Sequence, residues 1–77
     1  MIDRAEQFLI EQGFYEERVR VHGNLARIEV PSADITRLAA DEVREMVYER
    51  FREIGFLFVS LDMKGYRMGS MNETLLQ

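Results

Sequence analysis

One stretch constrains the fold more than any other: Arg18-Val19-Arg20-Val21-His22-Gly23-Asn24-Leu25-Ala26-Arg27-Ile28-Glu29-Val30. Polar and apolar residues alternate, the chain turns at Gly-Asn, and the alternation resumes. That pattern predicts a β-hairpin with one face in a core and the other in water. A two-residue loop at Gly23-Asn24 sets His22 against Leu25, Val21 against Ala26, Arg20 against Arg27, Val19 against Ile28 and Arg18 against Glu29. Glycine at the first loop position suits a type II′ turn. The apolar cross-strand pairs each contribute about 0.2–1 kcal/mol, whereas like charges directly opposite one another are unfavourable. Arg20 facing Arg27 is such a pair, and Arg18 beside Glu29 offsets part of it. In a chain of net charge -4 the wet face carries Arg18, Arg20, His22 and Arg27 against one acid, Glu29. Two adjacent guanidiniums make a candidate site for phosphate or carboxylate, which a planar fork binds bidentately. Arginines on the wet face of a strand also occur without any ligand.

The remaining pattern predicts a helix over about 3–12, with Asp3 and Glu6 in a capping-box arrangement and Ile2, Ala5, Phe8, Leu9 and Gln12 on one side. Gly13-Phe14 ends it. The hairpin occupies about 16–30, and Pro31 closes the ladder. Residues 32–40 read as a connection with a helical turn, Ser32 as its cap and Asp34 at its positive end. Ile35 and Leu38 pin that turn to the core. The main helix spans about 41–54 behind Asp41 as N-cap, with Val43, Met46, Val47, Phe51 and Ile54 forming its apolar stripe. An ion pair from Glu49 to Arg52 partly relieves the Glu45–Glu49 repulsion. Gly55-Phe56 repeats Gly13-Phe14, and a strand follows over about 56–62. Leu57, Val59 and Leu61 share one of its faces. Phe56 and Phe58 on the other predict a central strand or a covered face.

The order α-β-β-α-β predicts a single small α+β domain over 1–77. It is a ferredoxin-like pattern lacking its first strand, with a mostly antiparallel three-stranded sheet and two main helices on one face. The gap left by the absent strand must close, be filled by the residues that follow, or be filled by another chain.

Composition narrows the functional classes. At 77 residues there is one modest core. Without cysteine there are no disulfides, thiolate nucleophiles or cysteine zinc sites, which fits a reducing cytoplasm. No run of roughly 18 apolar residues exists to span a membrane. An acidic chain, of pI near 4.9, argues against nucleic-acid partners, which need a basic field. The acids show no metal-ligand spacing. His22, the single histidine, has no nucleophile beside it and reads as structural or solvent-facing.

The last segment, 63–77, reads as a functional tail. Glycines bracket Tyr66-Arg67, and Gly69, Ser70 and Asn72 follow, giving free backbone N–H groups and small donors around a guanidinium. Met63, Met68 and Met71 suit an adaptable contact surface, but packing of the tail onto the chain's own core is the favoured expectation.

Two blocks, Arg18 to Pro31 and Leu61-Asp62-Met63-Lys64-Gly65-Tyr66-Arg67-Met68-Gly69-Ser70-Met71-Asn72-Glu73, with Gly55-Phe56 between them, resemble the C-terminal domain of the LarE-type family. These are PP-loop ATP pyrophosphatases that act as ATP-dependent sacrificial sulfur transferases in building the nickel-pincer cofactor of lactate racemase. The resemblance covers nearly the whole chain. It implies an N-terminal nucleotide-binding partner domain with an S-G-G-x-D-S loop, which adenylylates a carboxylate with ATP, releasing pyrophosphate and leaving AMP bonded to the carboxylate. In sacrificial members a cysteine then supplies sulfur. This chain has neither that loop nor a cysteine, so the expectation is an accessory fragment or free-standing relative that is not catalytic alone and holds no cofactor itself. The resemblance implies that Arg18, Arg20, Arg27 and Arg67 face phosphates or carboxylates, supported by His22, Glu29, Tyr66, Gly69, Ser70 and Asn72. It also implies homo-oligomers in the cytoplasm. The alternatives are an oligomerisation module without ligand and a small regulatory domain that reads an anionic metabolite.

Overall fold

The computed structural model describes residues 1–66. Three helices and three strands follow in the order α1 (Ile2–Glu11), β1 (Arg18–His22), β2 (Leu25–Glu29), α2 (Ser32–Ala39), α3 (Asp41–Ile54) and β3 (Phe58–Leu61). The domain is α+β, and its helices cover one face of the sheet.

The hairpin has the predicted register at all five pairs, from Arg18↔Glu29 to His22↔Leu25. Gly23 takes φ +60 and Asn24 stays at negative φ, the combination of a type II′ turn. Val19, Ala26, Ile28 and Val30 enter the core.

The sheet order is β1-β2-β3, and β2 pairs with β3 in parallel. The sheet is therefore mixed, with one antiparallel and one parallel ladder, not mostly antiparallel. This pairing closes the gap within the chain. Parallel neighbours need a long crossover, and α2 with α3 provides it. The stretch 32–40 is thus a full helix and not a single turn. Leu38 buries and Ile35 packs against the same core, as their spacing predicts.

Among the described residues β3 lies at the sheet edge, with Phe58 62% exposed, so there it is neither central nor covered. Leu57 is also exposed, because the ladder starts one residue after it. Val59 and Leu61 do pack against the core.

The two Gly-Phe junctions are alike in structure as well as sequence. The Phe14 N–H donates to Leu9 O and the Phe56 N–H donates to Phe51 O, both at the 6→1 spacing of a Schellman motif. Both phenylalanines are fully buried, and the Phe56 ring tilts against Phe51 at 5.9 Å. Val47, Phe51 and Ile54 form the buried stripe of α3, while Met46 at its margin is exposed.

The helix starts differ from expectation. Met1, Pro31 and Ala40 occupy the N-cap positions of α1, α2 and α3, and none makes a side-chain cap bond. Glu6 instead reaches across to β1, where it accepts the Val19 N–H at 3.0 Å. Arg52 donates to the Tyr48 hydroxyl at 2.6 Å rather than pairing with Glu49, and Arg50 pairs with Glu53. Arg37 on α2 stacks over the Phe14 ring at 3.8 Å and donates to the carbonyls of Gln12 and Gly13. It thereby caps the C-terminal end of α1 from another helix.

Candidate functional site

The face of the sheet away from the helices carries the predicted residues. Register places Arg18, Arg20 and His22 from β1, Leu25, Arg27 and Glu29 from β2, and Phe58 and Ser60 from β3 on it together. Arg20 and Arg27 are direct cross-strand partners. What holds them is Glu29, whose two oxygens accept one bond from each guanidinium: Arg20 Nε at 3.3 Å and Arg27 Nη2 at 3.2 Å. The Glu29 side chain is 14% exposed, so this carboxylate sits deep between the two cations.

Glu29 therefore does not serve Arg18, its cross-strand neighbour. Arg18 lies over the Tyr66 ring at 5.6 Å. Tyr66 is brought there by its N–H, which donates to Val30 O at 2.8 Å. Asp62 shapes the approach. Its Oδ1 accepts the N–H groups of Lys64 and Gly65, while its Oδ2 stands 3.7 Å from Arg27 Nε. Asp62 is a site residue that the sequence reading left out. It reaches Arg27 only because β3 runs parallel beside β2, setting Ser60 against Arg27.

Among the described residues, Arg20 spends Nε and Arg27 spends one terminal amino group on hydrogen bonds, and Arg27 Nε is shielded without a hydrogen-bond acceptor. A guanidinium carries five N–H donors, so both keep donors for an incoming anion. The site is a set of arginines fixed by two carboxylates. It positions positive charge at low entropic cost, because the guanidiniums are already oriented. His22 stands at the turn end of the same face, opposite Leu25, and is not among the residues gathered around Glu29. Arg67, Gly69, Ser70 and Asn72 lie outside the described residues.

Among the described residues, no group of three or more His, Cys, Asp or Glu side chains is arranged to hold a metal ion. No described helix is long and apolar enough to cross a membrane. An apolar cleft of about 430 Å3 lies between α2, α3 and β3, lined by Leu38, Val47, Tyr48, Val59 and Leu61 among others. None of Arg18, Arg20 or Arg27 lines it.

Fold and site define a small α+β domain with a charged sheet face that none of the described helices covers. No protein-family model matches the chain. It is 41% identical over 71 residues to the pyridinium-3,5-bisthiocarboxylic acid mononucleotide synthase of Lactiplantibacillus plantarum, across 92% of this chain and 25% of that protein. It is 39% identical over 74 residues to the uncharacterized protein slr1717 of Synechocystis sp., across 96% of this chain and 28% of that one. The chain thus matches nearly all of itself to about a quarter of the length of these relatives.

Proposed function

We propose that the chain is the C-terminal accessory region of a LarE-type ATP-dependent sulfur transferase. The observation that carries this reading is the 41% identity to the L. plantarum synthase over 92% of the chain. In this reading an N-terminal PP-loop domain binds ATP and activates a carboxylate, and the present domain does no bond-making. Arg20 and Arg27, held by Glu29, form one wall facing the phosphate or carboxylate groups of the substrate. Arg18 stands beside them over Tyr66. Their work is electrostatic: fixed guanidiniums offset anionic charge. Assembly into homo-oligomers in the cytoplasm completes the reading. The strand gap that would favour a pure assembly module closes inside the chain.

The test is a chimera in which this chain replaces the matching region of the L. plantarum synthase. Sulfur transfer should persist, and Arg20→Ala with Arg27→Ala should weaken substrate binding without unfolding the protein. A folded chimera that adenylylates its substrate and still binds it normally after both substitutions would contradict the arginine role. A folded chimera with no sulfur transfer would contradict the family reading.

A further inference from the structure

We propose that Glu6 and Glu17 form a pH-responsive latch between α1 and β1, closed while the pair shares one proton and opened when that proton leaves. The geometry has two parts. Glu6, on α1, accepts the backbone N–H of Val19 at 3.0 Å, a bond that ties the helix to the second residue of β1. Glu17, in the loop just before β1, feels the Glu6 charge, and its Oε1 is sealed from solvent without a hydrogen-bond partner among the described residues. An ionised carboxylate oxygen is an acceptor only, and leaving it buried and unpaired is costly. A proton on Glu17 resolves both problems. Its O–H donates to Glu6, and Glu6 remains an anion that holds Val19.

The surroundings agree. Burial is the largest influence on Glu17 and the Glu6 charge is the second; Arg18 opposes them, and the hydrogen bond to Glu6 adds to them, leaving the group at about 7 instead of 4.5. Two charged groups on the neighbouring elements are engaged elsewhere. Arg50 of α3 lies over Phe8 and pairs with Glu53. Glu29 of β2, opposite Arg18 in the ladder, is occupied by Arg20 and Arg27 on the far face of the sheet. Loss of the proton sets two carboxylates against each other, with Arg18 the opposing charge on Glu17 among the described residues. The latch is independent of the sulfur-transferase reading.

The experiment is carbon-detected NMR titration of the Glu17 carboxyl, with hydrogen exchange at the Val19 amide, on the whole chain between about pH 5 and 9. Glu17 should titrate with a midpoint near 7. The Val19 amide should lose protection across that midpoint, its exchange rate rising faster than the roughly tenfold per pH unit that base catalysis alone gives. In Glu17→Gln the neutral amide donates to Glu6, so Val19 should stay protected throughout. A Glu17 midpoint in the ordinary carboxylate range would overturn the proposal. So would a Val19 amide that ignores the Glu17 titration in the folded wild-type chain. His22 is no confounder, because its side chain lies on the opposite face of β1 from Val19.

Discussion

Arg20 and Arg27 stand directly opposite each other in the β1–β2 ladder, and both donate to the same carboxylate, Glu29. Two like charges facing across a ladder destabilise it. Glu29 turns the pair into a three-membered cluster in which each cation shares the central anion.

The first prediction concerns that anion. Glu29→Gln should cost about 1 kcal/mol, since the pairs are partly solvated and Arg20 is half exposed. In a domain of this size that lowers Tm by about 4–8 °C. The variant should gain more stability than the parent when pyrophosphate is added, because an anion then also replaces the lost carboxylate. Thermal melts with and without pyrophosphate check both effects.

Gly65 has a stricter requirement than the other residues of its turn. It holds φ +86, and a Cβ there would sit 2.5 Å from the Val30 carbonyl oxygen, the acceptor of the Tyr66 N–H. Gly65→Ala should therefore cost about 1–3 kcal/mol and break that bond. The check is hydrogen exchange at the Tyr66 amide, which should lose protection, together with a shift of the Arg18 side-chain signals.

Phe51 is fully buried and anchors the Gly55-Phe56 junction through its carbonyl and its ring. Phe51→Ala removes about 3–5 kcal/mol. Folding of a domain this small rests on little more than that. Circular dichroism in urea should show the variant largely unfolded at 25 °C, whereas Met46→Ala, on the exposed margin of α3, should stay close to the parent.

The pH dependence of stability follows from Glu17. Its folded pKa, about 7, lies above the ordinary 4.5. Between those values the folded state binds the extra proton, so its contribution is full below 4.5 and is lost as pH rises through about 7. Urea midpoints of the parent should fall relative to Glu17→Gln across that window and run parallel to it above.

The hairpin register was legible because it depends on neighbours in sequence: a two-residue turn and strict alternation fix all five pairs. The Gly-Phe junctions were legible for the same reason. The parallel β2–β3 pairing was not, because it joins segments separated by two helices and reverses no local pattern. The site inherits that division. Arg18, Arg20, Arg27 and Glu29 could be placed on one face from periodicity alone. The choice of Glu29 to bond Arg20 diagonally, and the arrival of Asp62 beside Arg27, depend on side-chain reach and on β3. Glu6 illustrates a competition: its position fits a capping box, but the unpaired Val19 N–H across the α1–β1 junction claims it.

The central claim is that the arginine face receives an anion. The most direct measurement is an NMR titration of the arginine Nε–H signals with pyrophosphate, AMP and acetate at fixed ionic strength. Saturable shifts at Arg20 and Arg27, larger for pyrophosphate than for acetate and stronger in Glu29→Gln, are the predicted result. Signals at Arg18, Arg20 and Arg27 that move with none of these anions beyond the effect of added salt would contradict the account.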